Sequence, residues 1–264
     1  MVTAVAIVVL IALAGCDDGG QGPTGPSGVA GTPRPIKLLL AGSTSDLDMR
    51  EMIVIAIRDA MFPVGSELNY VNLKDSVPSL ATFKKYDVVF VWSINPFIDP
   101  VLTGNRLADY VDGGGSVVIS QFSMSEHPLP SAAKGPMRGR IMTPGYCPLT
   151  VGTVNSANDN NENKKIAVQS LDFPLHPIFN FANDDTINYF TQSDFSDPGV
   201  DGTAILLAKD TKGDNAIAIN ARGNIMGINL YGGYDFQDGV VGSAPFPEGN
   251  RLIANCILWV AGAY

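Results

Sequence analysis

The sequence predicts a three-layer α/β domain whose sheet is parallel in its first half and antiparallel in its last. Over residues 36–122, continuous apolar runs alternate with segments of helical periodicity, which is typical of parallel strands buried on both faces. Over residues 203–230, three apolar runs are separated only by Gly-containing turns, which indicates an antiparallel meander.

The first half contains four strands and three helices in strict alternation. The predicted strands occupy residues 36–42, 67–73, 87–93 and 116–122. The predicted helices occupy residues 45–62, 76–86 and 99–115. Pro63 ends the first helix and a run of three glycines ends the last. This order favours right-handed crossovers within one parallel sheet.

After residue 122 the pattern loosens, and residues 123–200 predict an irregular insertion in the domain of residues 36–264. Within the insertion, residues 151–170 predict two strands that form a hairpin around an Asn-rich turn. The chain then ends in a helix with one apolar side. That side consists of Leu252, Ile253, Cys256, Ile257, Trp259 and Val260.

Residues 1–15 predict a secretory signal peptide. The run from Val2 to Gly15 is apolar or small, and it is shorter than the roughly 20 residues that span a bilayer. Leu13-Ala14-Gly15-Cys16 resembles the bacterial lipobox, although no Lys or Arg precedes the apolar run. The resemblance implies palmitate or a similar lipid on Cys16, and an extracytoplasmic lipoprotein, periplasm-facing or at the cell surface, anchored to a membrane.

Residues 16–35 form a linker rich in Gly and Pro. Gly22, Gly25, Gly28 and Gly31 open four collagen-like G-x-y triplets. Four triplets are too few to hold a triple helix, so an extended spacer is favoured over trimer assembly.

The cysteine count and the net charge limit the possible disulfides and the possible partners. After lipidation of Cys16, an even pair remains, so Cys147 and Cys256 form either a disulfide or two separate buried thiols. The formal net charge is −9 and no basic cluster exists, which excludes nucleic acid as a partner class.

Four phrases in a fixed order carry a resemblance to a known family. They are YDVVFVWS with its helix into LADYVDGGGSVVISQF, then FPLHPIF, NARGNIMGINLYGG and GNRLIANCILW. Over about residues 36–122 and 200–262, the chain resembles the class I glutamine amidotransferase-like domains of the flavodoxin-like superfamily, which also holds the trehalose-utilisation-protein-like group. The resemblance implies a flavodoxin-like three-layer fold.

The resemblance also implies where a catalytic site would lie in the domain. Active members place a Cys in the turn after a sheet strand and a His after the last strands. Here the turn is Gln121-Phe122-Ser123-Met124, and the later phrase is YGGYDFQ, so both residues are missing. Ser123 lacks the G-x-S-x-G glycines that permit a strained nucleophile elbow. We therefore expect no catalytic residue and a domain that binds or scaffolds at the cell envelope.

Weak catalytic candidates support an alternative, an envelope hydrolase or carbohydrate-modifying enzyme that uses a metal. They are Ser123, Glu126, His127 and His176. The plainer interpretation is that His127 lies in an exposed loop and that His176 is buried and bonded to backbone. Asp159 would be the first residue of a calcium-binding loop, but Lys164 and Ser170 stand where such a loop requires glycine and glutamate. Neither a metal nor a cofactor is therefore predicted.

The ligand-binding candidates follow the ends of predicted parallel strands, where open α/β folds bind ligands. They are Ser43, Thr44, Ser45, Trp92, Ser93 and Gln121. The expected partners are the membrane through Cys16 and a glycan or another envelope protein.

Overall fold

The computed structural model describes residues 33–45, 50, 52–53, 56, 60–126, 135–155, 164–167, 176–180, 186–189, 195–229 and 247–264. The strands within these ranges are β1 (Lys37–Ser43), β2 (Glu67–Asn72), β3 (Val88–Ser93), β4 (Ser116–Ser120), β5 (Ser125–Glu126), β6 (Gly152–Asn155), β7 (Lys164–Ala167), β8 (Thr186–Tyr189), β9 (Phe195–Ser196), β10 (Ile205–Asp210), β11 (Asn215–Ile219) and β12 (Ile225–Ile228). The helices are α1 (Leu80–Phe83), α2 (Pro100–Asp112) and α3 (Pro247–Val260). Two 3₁₀ turns occupy Arg140–Met142 and Pro177–Phe179.

Helix α2 begins and ends at the signals that the sequence supplies. Asp99 caps α2 because its carboxylate accepts the Leu102 N–H at 2.8 Å, and Pro100 occupies the first helical position. Gly113 follows the last residue of α2. In the predicted first helix, the described residues Arg50, Met52, Ile53 and Ala56 are helical. Residues 60–62 are not helical and Ala60 has φ 48°, so the prediction that this helix continues to Pro63 is wrong. None of the described helices is long and apolar enough to cross a membrane.

One large sheet organises the domain in the order β2-β1-β3-β4-β12-β11-β10-β7-β8. Strands β2, β1, β3, β4 and β12 run parallel. From β12 onward each neighbour is antiparallel. The prediction of a parallel first half and an antiparallel meander is confirmed.

The predicted hairpin around the Asn-rich turn is wrong. Strand β6 pairs with β5 and β9 in a separate small sheet, whereas β7 joins the large sheet between β10 and β8. The physical reason is that β10 has an unpaired edge beyond the meander, and β7 satisfies the ladder hydrogen bonds of that edge.

Both faces of the parallel strands carry a hydrophobic core. In β3, Val88, Phe90 and Trp92 point to one face while Val89 and Val91 point to the other. Helix α3 covers the first face together with Met52 and Ala56. Helices α1 and α2, with residues 137–149, cover the second. The predicted three-layer arrangement is confirmed.

The two cysteines for which a disulfide was considered lie in different core layers. Cys256 lies in the cluster on the α3 side and Cys147 lies in the cluster on the opposite face, and both thiols are free and buried. Cys147 donates its thiol hydrogen to the Leu149 carbonyl at 3.0 Å, and burial raises its pKa to about 12. The disulfide alternative is therefore wrong, because the sheet itself stands between the two sulfurs.

Candidate functional site

The carboxyl ends of the five parallel strands lie at one edge of the sheet. Strand β1 has β2 on one side and β3 on the other, so the strand order reverses there and a crevice for ligands is expected. We call this end the carboxyl edge and include in it the residues at and just beyond the strand ends. They are Ser43–Ser45, Asn72, Trp92–Asn95, Ser120–Glu126 and Asn229.

All six predicted ligand-binding residues belong to the carboxyl edge, and all except Ser45 are buried. Ser43 donates its hydroxyl hydrogen to the Pro96 carbonyl at 2.8 Å. The Ser93 hydroxyl has no hydrogen-bond partner although it is buried. The sequence thus brings these side chains to one place, and their role in binding stays a prediction.

Trp92 contributes its indole N–H rather than an open ring face. Its ring lies against Gly42 of β1, where an added Cβ would sit 2.5 Å from ring carbon Cζ2. The ring also stacks on Phe90 with centroids 5.2 Å apart. The aromatic faces therefore belong to the core, while the buried Nε1–H has no partner.

The turn after β4 contains a strained residue. The Ser123 N–H donates to the Ser120 carbonyl at 3.2 Å, which closes a four-residue turn. Phe122, the third residue of that turn, has φ 63°, a left-handed conformation usually reserved for glycine. The strand predicted to reach residue 122 therefore ends at Ser120. The strained residue of the turn is Phe122, and the predicted candidate Ser123 does not have a left-handed φ.

Core packing explains how Phe122 keeps this conformation. Its side chain is 5 % exposed and belongs to the cluster on the α3 side. A left-handed residue costs roughly 1–2 kcal/mol, and full burial of a Phe side chain contributes about 1.5–3 kcal/mol. The turn thus places a large inert ring where its backbone is most strained.

Ser123 has no activating base among the described residues. Its hydroxyl is fully buried and unpartnered, and its carbonyl accepts the Met137 N–H at 2.8 Å. A serine hydroxyl becomes a competent nucleophile only beside a base within hydrogen-bond reach. In the described structure, the Ser123 hydroxyl is buried but has no base that would activate it.

Three backbone donors of the same region are already used. The N–H groups of Ile94 and Asn95 both donate to the Ser43 carbonyl, at 3.0 Å and 2.9 Å. Acyl-transfer sites need such N–H groups free to receive a developing oxyanion. Because the Ser123 N–H is also bonded within its turn, these three amides do not form an oxyanion hole.

The weak catalytic candidates do not converge. Glu126 is exposed at the carboxyl edge and pairs with Arg138 at 2.9 Å, and His127 lies outside the described residues. His176 lies at the opposite end of the sheet. Its ring packs edge-on against Trp259 with centroids 4.6 Å apart. The next residue, Val260, accepts the hydroxyl hydrogen of Ser116 with its carbonyl, and Ser116 is the first residue of β4. His176 is therefore near the amino end of that strand.

His176 has a structural environment. Its Nδ1 accepts the Ile178 N–H at 3.5 Å, which caps the second 3₁₀ turn, and its Nε2 is buried without a partner. Burial lowers its pKa to about 4, so the imidazole is neutral at physiological pH. This agrees with the interpretation of a buried histidine bonded to backbone.

The described residues contain no group of three or more His, Cys, Asp or Glu side chains that could hold a metal ion. The calcium-loop-like spacing from Asp159 begins outside them. No motif marks Asn250, whose side-chain oxygen is buried and unpartnered in the first turn of α3. Its spacing of three residues before Ile253 and seven before Ile257 is the signal that puts it on the buried face.

Comparisons with solved structures show the fold. The chain is similar to a ThuA-like protein from Bacteroides uniformis with a TM-score of 0.55 and 14 % identity, over 89 % of this chain and 94 % of that one. A cytoplasmic protein from Salmonella typhimurium gives 0.54 and 13 %, over 84 % and 97 %. A GMP synthase protein from Thermoplasma acidophilum gives 0.51 and 10 %, over 86 % and 95 %.

No protein-family model matches the sequence, and no curated protein matches it. At 10–14 % identity, the likeness extends to the fold and transfers neither activity nor location. The fold is thus similar to that of ThuA-like proteins, which belong to the group that the resemblance named.

Backbone strain at Phe122 can be separated from packing by two substitutions that both remove the ring. We expect Phe122→Gly to be more stable than Phe122→Ala by about 1 kcal/mol, because only glycine tolerates the left-handed φ without cost. Urea denaturation measures the difference. At Phe97, equally buried with ordinary φ, the order should reverse. The same order at both positions would contradict strain at residue 122.

His176 predicts a pH dependence of stability. The imidazole binds a proton near pH 6.5 in the unfolded chain and near pH 4 in the folded chain, so the unfolded chain holds more protons between these values. The free energy of unfolding should therefore fall as pH decreases from about 6.5 to 4, by up to about 3 kcal/mol from this group.

The variant His176→Phe should flatten the curve of unfolding free energy against pH within this window, whatever its effect at pH 8. Denaturant titrations across the window measure both curves, with Thr211→Ala, at the exposed turn between β10 and β11, as the control that keeps the slope. Parallel curves for the parent chain and His176→Phe would contradict the assignment.

Proposed function

We propose that the chain is an exported lipoprotein whose α/β domain binds a ligand or an envelope partner at the carboxyl edge and catalyses no hydrolysis. The observation that carries this proposal is the turn after β4. Phe122 occupies its strained position, and the neighbouring Ser123 is buried without a base among the described residues.

A loss of catalysis agrees with the surrounding hydrogen bonds. Hydrolysis of an acyl or amide bond needs a nucleophile, a base and donors for the oxyanion. The amides of Ile94 and Asn95 are bonded to the Ser43 carbonyl. A metal-dependent hydrolase built from Glu126 and His176 finds no support, since these side chains lie at opposite ends of the sheet.

Anchoring is supported by the sequence before residue 17. An apolar run too short to span a bilayer precedes Leu13-Ala14-Gly15-Cys16. Each lipid methylene buried in a membrane contributes about 0.8 kcal/mol, so two or more acyl chains on Cys16 give stable anchoring.

The attachment point of the linker supports binding at the carboxyl edge. The described chain enters the domain just before Lys37, at the amino end of β1. Arg34 fixes this entry, because its guanidinium donates to the Ala261 carbonyl at 2.8 Å. A linker that joins the opposite end of the sheet keeps its attachment point away from the carboxyl edge, where a glycan or another envelope protein would bind.

The anchor is tested by expressing the full chain in a bacterial host and labelling it with palmitate. We expect label on the parent chain and its recovery in the membrane fraction, and loss of both in Cys16→Ser, because no other thiol becomes the mature amino terminus. Cys147→Ser should keep the label. Label on Cys16→Ser, or a mature chain that retains residues 1–15, would contradict the anchor.

Catalytic silence is tested with chromogenic esters, amides and glycosides and with glutamine. We expect the purified domain and its Ser123→Ala variant to show the same rate as buffer, with circular dichroism confirming that both are folded. Turnover that Ser123→Ala abolishes would establish a hydrolase instead.

A further inference from the structure

We propose that a cleft at the amino ends of the parallel strands binds a small zwitterion, which is a compound that carries an anionic group and an ammonium group close together. This cleft lies at the opposite end of the sheet from the carboxyl edge. The inference therefore goes beyond the proposed function and does not depend on it.

The cleft opens at the end of the sheet where the parallel strands begin, which we call the amino edge. Its volume is about 300 Å³, at the lower end of the range for small-molecule sites. The segments that enter β1, β3 and β4 line it, together with the end of α3. The lining includes Arg34, Lys84, Asp87, Tyr110, Gly113–Gly115 and Ala261.

One wall of the cleft is a run of three glycines. Gly114 has φ 91°, a conformation that residues with a side chain rarely adopt, and a Cβ added there would meet no atom within 4 Å. A Cβ added to Gly113 would lie 3.4 Å from Lys84 Cε, so the Lys84 side chain extends along this wall. The wall is thus bare backbone beside a lysine side chain.

The Tyr110 ring forms a fixed part of the cleft. The ring is buried, and its hydroxyl donates to the Tyr86 carbonyl at 3.0 Å. A Cβ added to Gly115 would lie 2.2 Å from ring carbon Cζ, so glycine is needed for the ring to pack there. Rotation of the ring into the cleft would break its hydrogen bond, so the space stays open.

Two cations line the cleft with unused donors. Lys84 is exposed, and its ammonium makes no ion pair within the part of the chain that the structure describes. The Arg34 guanidinium donates to the Ala261 carbonyl at 2.8 Å and to the carbonyl of the next residue at 3.2 Å. Because a guanidinium has five N–H donors, Arg34 keeps donors for a ligand.

A carboxylate lies beside these cations. Asp87 Oδ2 accepts the Lys37 N–H at 2.7 Å and is 3.8 Å from Arg34 Nη1. The distance to Arg34 is too long for a hydrogen bond. Asp87 Oδ1 has no hydrogen bond among the described residues and remains an acceptor.

The three charged side chains select the ligand class. An anion alone would be repelled by Asp87, and a cation alone would be repelled by Arg34 and Lys84. A zwitterion avoids both costs, because its carboxylate or phosphate pairs with the two cations while its ammonium donates to Asp87. Since Arg34 and Asp87 are only 3.8 Å apart, the two charges must be close together on the ligand.

Two sources supply this chemistry. A free amino acid carries its ammonium and carboxylate on one carbon, and a phosphoethanolamine headgroup presents the same pair of charges from a lipid. The probes for calorimetric titration of the full chain in a non-ionic detergent are therefore alanine and glycerophosphoethanolamine. Lactate and glycerol phosphate are the matched anions without an ammonium, and ethanolamine is the cation alone.

We expect saturable heat with one or both zwitterions, and binding about tenfold weaker for the matched anion and for ethanolamine. Tighter binding of alanine would assign a free amino acid as the ligand, and tighter binding of glycerophosphoethanolamine would assign a lipid headgroup.

Three variants locate the site. Lys84→Gln should weaken binding of the zwitterion about three- to tenfold, because a charge-assisted hydrogen bond at a partly exposed position is lost. Asp87→Asn keeps an acceptor for the Lys37 N–H, and it should reduce the affinity for the zwitterion to that for the matched anion. Lys85→Gln is the matched control, because Lys85 is equally exposed and lies outside the lining, and it should bind as the parent chain does.

Three results would overturn the inference. Equal affinity for a zwitterion and its matched anion would replace the ligand class. Equal losses in Lys84→Gln and Lys85→Gln would assign binding to diffuse surface charge instead of the cleft. No saturable heat with any probe would remove the site, and Lys84 would then act only on the carbonyl end of α2. None of these results concerns the carboxyl edge, so the proposed function stands or fails by its own tests.

Discussion

Burial of β1, β3 and β4 on both faces is the constraint from which the rest of the molecule follows. The interior residues of these strands are apolar because a helical layer packs on each side. Polar side chains are therefore confined to the strand ends, as Ser43 and Ser93 show. The same constraint separates the two buried thiols and packs Trp92 against Gly42, so that only its N–H is left for hydrogen bonding. Any chemistry of the domain must be built from what lies at an end of the sheet.

The turn after β4 shows how a strained position persists without a reactive group. In a catalytic turn the strain exposes a nucleophile, whereas here it directs the ring of Phe122 into the core. The apolar burial offsets the backbone cost locally, so no ligand or substrate is needed to hold the conformation. The neighbouring Ser123 is drawn inward with the ring and loses access to solvent. Strain alone is thus insufficient evidence for catalysis, because the side chain at the strained residue decides what the turn does.

The sequence predicts the parts of the fold that depend on local chemistry. Continuous apolar runs identify β1 and β3, and the capping carboxylate of Asp99 with the glycines after Asp112 bounds α2. Strand pairing outside the parallel core is not local, so the partners of β6 and β7 could not be derived from their composition. The sequence correctly predicts that Ser43 and Ser93 lie side by side at the ends of β1 and β3, because parallel strands joined by crossovers end at the same edge of the sheet. The left-handed Phe122 and the distant position of His176 depend on tertiary packing, and no short pattern signals either.

In the proposed arrangement, the two ends of the sheet have different functions. Helices that return from the carboxyl edge end at the amino edge, where Arg34 donates to the Ala261 carbonyl and joins the linker to α3. A cation at the end of a helix interacts favourably with its terminal carbonyls, so the Arg34 guanidinium stabilises the junction where α3 ends. A chain of net charge −9 is repelled by anionic lipid, and the proposed Gly- and Pro-rich spacer would increase its distance from such a surface. In the proposed arrangement, attachment and recognition use opposite ends of the parallel strands and do not compete for the same residues.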